Sequence, residues 1–328
     1  MNRSRIEWCD HTLNIVTGCR HGCEYCYARQ MSRRFCGNVK LHKQETDKYR
    51  IEDGVYVLDE PFFDESGKQV MYPFGFEPTL HRYRLGVLDK LKMGQNIFVG
   101  AMGDLFGDFI PEAWIREVFE CCEAHPKNNY LFLTKNVQRY ADIPLMRGDN
   151  AFYGTSVTAE ADVYRYNFLP AFSNRFVSIE PLLEDIHPEE HNLMIKQVHW
   201  IIIGAETGYR KTRVVPKKEW IDKIVALADE YNVPVFMKDS LLPIVGEENM
   251  RRDFPEQLNK KEMSDKVKKR LLANCKACGK ELRKNQMITI SARKKRGGRS
   301  RSFCHVCKEC LEKFCDKYNL EMPELEEE

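Results

Sequence analysis

Residues 95–136 contain, in order, QNIFVGAMGD (95–104), PEAWIREVFECCEAH (111–125) and YLFLTKN (130–136). The first and third are short apolar runs without alternation, as is typical of strands buried on both faces of a sheet. The middle one begins with Pro111, a residue favoured in the first turn of a helix. Strand, helix and strand in this order predict a crossover between two parallel strands.

The same alternation continues to about residue 240. With LNIVTG (13–18) at the start, it gives about seven strands. We therefore predict an α/β fold, either a full or partial (β/α) barrel or, alternatively, a doubly wound open sheet. The remaining segments are strands in AFYGTSV (151–157), RFVSIEPLL (175–183), HWIIIGAETG (199–208) and VPVFMKDS (233–240), and helices in TAEADVYRYNFLPAF (158–172) and KKEWIDKIVALADEYN (217–232).

Polar residues follow nearly every predicted strand. Ligands of parallel α/β proteins bind at the carboxyl ends of the strands, so these residues are candidates for a substrate pocket. Some of them are equally suited to capping the next helix, Ser156 and Thr158 most of all. The candidates are Asp104, Asp108, Thr134, Lys135, Thr155, Ser156, Glu180, Glu206, Thr207, Lys238 and Asp239.

No apolar run approaches the roughly 18 residues that a membrane helix requires. The start, MNRSRIEWCDH, also lacks the apolar stretch of a secretion signal. We therefore expect a soluble, cytoplasmic protein. The chain has 13 cysteines, an odd number, and in a protein of this kind metal binding is a better explanation than a disulfide framework. Cys121 and Cys122, on a predicted helix, fit buried thiols.

Three cysteines near the start, Cys19, Cys23 and Cys26, form the motif C-x3-C-x2-C. Thiolates are the usual ligands of iron–sulfur clusters, and a cubane held by protein alone takes four. Three thiolates would leave one iron open to a substrate or cofactor. Zinc is the competing metal, but a catalytic zinc more often uses histidine. His21 lies within the motif and is poorly placed to join the same metal.

With Tyr25 before the third cysteine, CRHGCEYC (19–26) resembles the loop of radical S-adenosylmethionine (SAM) enzymes. The resemblance covers residues 12 to about 240 and implies a partial (β/α)6-type TIM barrel. It implies that Cys19, Cys23 and Cys26 hold a [4Fe–4S] cluster, with SAM on the open iron and Tyr25 near its adenine. It also implies an electron donor such as flavodoxin or ferredoxin. SAM would be cleaved to methionine and a 5′-deoxyadenosyl radical, which removes hydrogen from the substrate.

The sequence departs from that superfamily in one place. Many members carry a Gly-Gly-Glu-like stretch after the second strand, where this chain has GAMGDLF (100–106). Asp104 is the candidate partner for the SAM ammonium group, and Ser156 the candidate for the ribose hydroxyls. Four further residues are candidates for orienting the substrate or handling protons, and each is equally suited to an internal ion pair. They are Lys135, Glu180, Glu206 and Lys238.

The chain also resembles a phage-associated family of uncertain function, over most of residues 7–240. That resemblance identifies relatives without supplying a reaction. The shared pieces are NIVTGC (14–19), GCEYCYAR (22–29), VGAMGDLF (99–106), LFLTKN (131–136), GTSV (154–157), VSIEPLL (177–183) and IIIGAETG (201–208).

The cysteines near the end form paired knuckles, CKAC (275–278) and CHVCKEC (304–310). Two such pairs at this separation predict a tetrahedral structural zinc. Because CKECL resembles the second knuckle of zinc ribbons, we favour Cys307 and Cys310 over Cys304 as partners of Cys275 and Cys278. An additional iron–sulfur cluster is the alternative.

The charge of the chain is unevenly distributed. Residues 260–301 carry a net charge of +13, and the rest of the chain sums to −11. A basic segment on an acidic body predicts a polyanionic partner, nucleic acid (DNA or RNA) first, with a solvated linker as the alternative. The predicted organisation is a β/α barrel (1–245) with an insertion (36–82), a connector (246–270), and a zinc-ribbon-like domain with a basic loop and an acidic tail (271–328).

Two classes of function follow from these observations. The first is a radical SAM enzyme that modifies or repairs a base in a nucleic acid or nucleotide. The second is a catalytically inactive barrel that binds nucleic acid and carries zinc alone. Iron and acid-labile sulfide at the first cysteines would distinguish them.

Overall fold

The computed structural model describes residues 3–187, 192–208, 210–259, 272–279, 281–283, 287–292 and 301–318. The chain divides into two compact units, Met1–Asn259 and Lys260–Glu328. Among the described residues, no helix combines the length and apolar character that crossing a membrane requires.

The first unit contains eleven strands and seven α-helices within the described residues. The strands are β1 (His11–Leu13), β2 (Val16–Thr17), β3 (Arg50–Glu52), β4 (Val55–Leu58), β5 (Thr79–His81), β6 (Asn96–Val99), β7 (Asn129–Thr134), β8 (Ala151–Ser156), β9 (Asn174–Ile179), β10 (Trp200–Ile203) and β11 (Val235–Met237). The helices are α1 (Tyr27–Phe35), α2 (Val39–His42), α3 (Glu112–Glu123), α4 (Arg139–Asp142), α5 (Asn192–Gln197), α6 (Lys218–Glu230) and α7 (Leu242–Val245). Short 3-10 helices cover Arg82–Lys90, Glu160–Phe168, Asp239–Leu241, Glu247–Asn249 and Glu256–Leu258.

Seven strands form one parallel sheet in the order β1-β6-β7-β8-β9-β10-β11. The α/β class is therefore confirmed. Because neighbours in the sheet follow one another along the chain, the strand order never reverses, and the doubly wound alternative is wrong. The sheet is curled, like half of a barrel, and β1 and β11 are its edges.

The first strand differs from the prediction over residues 13–18. The sheet strand is His11–Leu13, whereas Val16–Thr17 pairs with β5 in a second, smaller sheet. The chain turns away after Leu13, and the side chain of Asn14 accepts a hydrogen bond from the backbone N–H of Met102 (3.0 Å). The strand His11–Leu13 looks polar in sequence, although His11 is buried in the folded protein. For this reason the sequence pattern did not indicate it.

The insertion at residues 36–82 contributes most of the smaller sheet, of order β2-β5-β4-β3. It has its own apolar cluster, in which Tyr56 stacks on Phe74 with ring centroids 4.0 Å apart. A separate core explains why this segment interrupts the β/α alternation.

The parallel sheet is apolar on both faces, as the unalternating runs predicted. One face packs against helices, including Trp114 of α3 and Ile221 of α6. The other carries an aromatic cluster that includes the amino-terminal Trp8. Gly154 makes room for this cluster, because a Cβ there would lie 2.5 Å from the ring of Phe176. The cluster forms a solid floor beneath the carboxyl ends of the strands.

Residues 246–259, which we assigned to a connector, belong to the first unit. Trp200 Nε1 donates to the backbone carbonyl of Asp253 (2.9 Å), and Asn96 Nδ2 donates to that of Leu258 (2.9 Å). This segment therefore packs against the amino-terminal side of the parallel sheet.

In the described part of the second unit there are two antiparallel strand pairs and a helix. They are β12 (Leu272–Asn274) with β13 (Glu281–Arg283), β14 (Met287–Ala292) with β15 (Arg301–Cys307), and α8 (Lys308–Tyr318). Most of the basic segment 260–301, on which the nucleic-acid prediction rests, lies outside the described residues.

Candidate functional site

A cavity of about 240 Å³ opens at the carboxyl ends of the parallel strands. It is lined by every candidate that the sequence supplied for the cluster, for SAM and for catalysis. Those ten residues are Cys19, Cys23, Tyr25, Cys26, Asp104, Lys135, Ser156, Glu180, Glu206 and Lys238. They come from seven separate stretches of the chain, which the parallel topology brings to one edge of the sheet.

The cysteine loop is held at both ends by backbone contacts. Gly18 has φ +88°, and a Cβ there would lie 2.2 Å from the carbonyl oxygen of Glu77. Its N–H donates to the carbonyl of Met102 (2.9 Å), and that of Cys19 donates to Phe76 (3.2 Å). At the other end, the Cys26 side chain caps α1 by accepting a hydrogen bond from a backbone N–H (3.4 Å).

The three thiols of the loop line the same cavity. Burial raises the pKa of Cys19 to about 12, so an isolated thiolate there is unfavourable and a bound cationic centre would offset that cost. A tetrahedral zinc holds its sulfurs about 3.8 Å apart, given zinc–sulfur bonds of roughly 2.3 Å. Among the described residues, only the four carboxyl-terminal cysteines have ligand atoms all within 4.8 Å of one another. Cys19, Cys23 and Cys26 do not form such a group in the described part of the chain.

His21, inside the cysteine loop, is engaged elsewhere. Its Nε2 donates to Asp104 Oδ2 (2.8 Å), and its ring lies edge-on to Phe109. Asp104 is buried and also accepts from the backbone N–H groups of Phe106 and Lys135 (3.0 Å each). Three of its roughly four acceptor positions are therefore filled. In this structure Asp104 ties the cysteine loop to the ends of β6 and β7, a role that the sequence did not reveal.

Lys135 is held against the same loop. Its Nζ donates to the Tyr25 hydroxyl (2.7 Å) and lies 5.3 Å from the centre of the ring. The Tyr25 hydroxyl in turn donates to Thr158 Oγ1 (3.5 Å). Ser156, at the end of β8, is buried and lines the cavity. The cationic Lys135 is therefore aimed at the part of the cavity nearest the cysteines.

Glu180 and Lys238 form an ion pair across the ends of β9 and β11 (2.5 Å). Ser178 Oγ donates to the other carboxylate oxygen of Glu180 (3.1 Å). Burial opposes the charge on Lys238, but the Glu180 carboxylate outweighs it, so the pKa of Lys238 is raised. Gly204 leaves room for the pair, because a Cβ there would lie 2.9 Å from Glu180 Cγ and 3.1 Å from Lys238 Cδ.

Glu206 is paired with a residue that sequence reasoning missed. Arg210 binds its carboxylate with two hydrogen bonds (2.7 and 2.8 Å) and lowers the pKa of Glu206. The same guanidinium donates to Glu24 (2.9 Å), which lies between two cysteines of the loop. Glu206 is therefore a charged anchor and is poorly suited to proton transfer near neutral pH. Arg210 follows Glu206 by four residues, but no sequence signal links either of them to Glu24.

The family of the chain is settled by one comparison. A family model described as "Protein of unknown function (DUF5131)" matches residues 3–274. The chain belongs to this family. No curated protein matches it.

Two solved structures are similar to this DUF5131 protein. One is a cysteine-to-alanine mutant of spore photoproduct lyase with dinucleoside spore photoproduct (TM-score 0.40, 9% identity). The other is spore photoproduct lyase complexed with the same dinucleoside (TM-score 0.39, 8% identity). Each match covers 97% of this chain and 75% of the other. Similarity this weak does not bear on function.

The DUF5131 match ends one residue before the carboxyl-terminal cysteine cluster. Cys275, Cys278, Cys307 and Cys310 come together there, in the set that we favoured, and could hold a metal ion. The N–H of Cys307 donates to Cys275 Sγ (3.3 Å), and backbone hydrogen bonds of this kind lower the pKa of Cys275 to about 6. A site of four thiols whose sulfur atoms lie within 4.8 Å of one another suits a closed, structural metal. The side chain of Cys304, the alternative ligand, lies outside the described residues.

Proposed function

We propose that this protein is a radical SAM enzyme that acts on a nucleic acid or a nucleotide. One observation carries the proposal: the three cysteines of the loop and all seven other candidates line a single cavity at the carboxyl ends of a parallel, half-barrel sheet. A partial barrel of the (β/α)6 type, a cytoplasmic location and reduction by a flavodoxin or ferredoxin go with this proposal. At the second unit we propose a structural zinc and nucleic-acid contacts through residues 260–301.

Cys19, Cys23 and Cys26 would hold a [4Fe–4S] cluster with one iron open to SAM. When bound, this pair supplies one-electron cleavage of SAM to a radical that abstracts hydrogen from a substrate. The aromatic floor, with Trp8 and Phe98 lining the cavity, excludes water from below.

The charged groups of the cavity bind and orient. Tyr25 holds the Lys135 ammonium, and Glu180 holds the Lys238 ammonium. Each lysine retains donors for the oxygen atoms of a ligand. Asp104 and Glu206 keep the cysteine loop in place through His21 and through Arg210 and Glu24. Asp104 has one acceptor position left for the SAM ammonium.

The test is anaerobic reconstitution with iron and sulfide, followed by dithionite and SAM. We expect about four irons at the first site, one zinc per chain and formation of 5′-deoxyadenosine. Cys23→Ala should lose the iron and the deoxyadenosine together.

Cys36→Ser is the matched control, because Cys36 lies at the end of α1 and is not among the residues lining the cavity. It should retain both iron and deoxyadenosine formation. Deoxyadenosine formation that survived in Cys23→Ala would refute the proposal. Zinc alone, with no bindable cluster, would favour the inactive nucleic-acid-binding barrel.

A further inference from the structure

A second, larger cavity of about 730 Å³ adjoins the first. Both cavities are lined by Ile6, Tyr27, Ala101, Thr207 and Lys238. A ligand extending along this groove therefore continues into the cavity that holds the cysteines. No function assigned above uses the groove.

The groove is cationic. Arg3, Arg5, Arg84 and Lys238 line it, and Glu7 is the one carboxylate among its lining residues. Glu7 is already engaged, because it accepts hydrogen bonds from the Arg252 guanidinium (2.7 Å) and the backbone N–H of Asp239 (2.7 Å). Lys238 is paired with Glu180, so Arg5 and Arg84, which have no acidic partner among the described residues, supply the positive charge that an anion-binding surface requires.

Arg82 and Arg84 differ in whether an acidic side chain already binds the guanidinium group. Arg82 forms salt bridges with Glu117 (2.8 and 2.9 Å) and with Glu52, so its charge is neutralised within the protein. Arg84 has no acidic partner among the described residues. Its Nη1 donates to the backbone carbonyl of Asn14 (2.7 Å) and its Nε to the Tyr83 hydroxyl (3.2 Å).

The remaining nitrogen of Arg84, Nη2, is buried and has no hydrogen-bond partner among the described residues. A buried cationic donor without an acceptor is unfavourable, and a phosphate oxygen is among the strongest acceptors for a guanidinium. Because the neutral contacts of Nε and Nη1 fix the group in place, a phosphate would meet it pre-oriented. Arg5 is exposed and also lacks an acidic partner within the described part of the chain.

We propose that this groove is a phosphate subsite for the substrate. A phosphate ester of a nucleoside would bind to Arg84, with Arg5 contributing charge, and the nucleoside would pass Tyr27 and Lys238 into the first cavity. This inference rests on the proposed function for the identity of the nucleoside-bearing substrate, but its binding step requires neither the cluster nor SAM.

The test is calorimetric titration of the full-length protein with mixed-base dinucleotides that carry one phosphodiester. The methylphosphonate counterparts, which have the same bases and no charge, are the comparison ligands. We expect the wild type to prefer the charged ligand by at least about tenfold, since a hydrogen bond to a charged group is worth that much or more. Arg84→Gln should remove the preference and reduce the salt dependence by about one phosphate contact.

Arg116→Gln is the control for net charge, because Arg116 is an exposed residue of α3 paired with Glu112. It should keep the preference. If Arg84→Gln proves unfolded, Arg5→Gln takes its place, and we then expect a partial loss of the preference. Equal affinity for both ligands in the wild type, or a preference unchanged in the folded variant, would overturn the proposal.

Two further ligands distinguish the source of the phosphate. A hexanucleotide that binds more tightly than nucleoside monophosphates identifies nucleic acid, and equal affinities identify a free nucleotide. Deoxyadenosine formation is measured separately in the same preparations. Binding that depends on Arg84 without deoxyadenosine would refute the radical SAM proposal and leave the phosphate subsite standing. Deoxyadenosine formation without such binding would do the reverse.

Discussion

The two cysteine groups of this chain differ in what surrounds their sulfur atoms. In the second unit, four thiols lie within 4.8 Å of one another, so that they can enclose one ion completely. In the first unit, three thiols line a cavity of about 240 Å³ together with lysines, carboxylates and a tyrosine. Under the proposed function, the same residue type would serve two purposes. A closed set of four suits stability, and an open set of three beside a cavity suits chemistry.

The largest expected effect is at the closed site. Cys307→Ser removes one of four ligands, and we expect the second unit to unfold. Structural zinc contributes about 10–16 kcal/mol in small domains, more than such a domain has to spare. Zinc content and proteolysis of residues 260–328 would measure this.

The first unit should be unaffected by that change, because its core is its own. A second unit that stayed folded and protease-resistant without zinc would contradict the assignment of the four-cysteine site as structural.

Cys19→Ser should have the opposite profile. We expect at least about a 100-fold loss of deoxyadenosine formation and loss of iron. The melting temperature of the first unit should change little, because its core of buried aromatic and aliphatic side chains does not depend on the loop. Calorimetry of the variant beside the wild type checks this. A large drop in melting temperature would show that the open site is structural after all.

Gly18 and Gly22 provide a sharper test of how the open site is held. Both have positive φ, +88° and +78°, so alanine strains the backbone at either position. A Cβ at Gly18 would also lie 2.2 Å from the Glu77 carbonyl oxygen, whereas one at Gly22 would meet nothing within 4 Å.

We expect Gly22→Ala to cost about 1 kcal/mol and Gly18→Ala about 2–4 kcal/mol, with reduced iron incorporation only in the latter. Denaturant unfolding and iron analysis would measure both quantities. Equal effects would mean that the packing of Gly18 against the insertion does not position the loop.

The parts of this structure that sequence could supply are those with a local pattern. Apolar runs without alternation located β6 to β11, and the polar residue after each one was an immediate neighbour of the cavity. Cysteine spacing identified both groups. In β1, the buried His11 and the neighbouring Thr12 look like loop residues, so the strand was placed too late.

Contacts between residues that are distant in the chain produce no local sequence pattern. Arg210 meets Glu24, 186 residues away, and His21 meets Asp104, 83 residues away, through folding alone. Arg82 and Arg84 lie two residues apart, yet Arg84 lines the groove whereas Arg82 forms salt bridges with Glu117 and Glu52. Such pairings are set by tertiary packing, which one sequence without relatives does not encode in any local spacing.

The smallest expected effect concerns Glu206, one of the charges that hold the open site. Its pKa is lowered in the folded state by Arg210, so its carboxylate contributes stability at and above the ordinary pKa of 4.5. That contribution should be lost as the pH falls from 4.5 through the lowered pKa, because the folded state must then take up a proton that the unfolded state already holds. Glu206→Gln lacks this titration, and its stability should fall less steeply over the same range.

Urea unfolding between pH 3 and 7, roughly the range over which carboxylates titrate, would compare the two, with the exposed Glu230→Gln as control. If wild type and Glu206→Gln lost stability in parallel, the Arg210 pair would not be coupled to folding. The cysteine loop would then be held by its other contacts, including those of Asp104, Gly18 and Tyr25. If only Glu206→Gln made the free energy of unfolding less dependent on pH in the acidic range, the open site would differ from the closed one in a further property. Its geometry would depend on the ionisation of carboxylates around it, whereas that of the closed site depends on its metal.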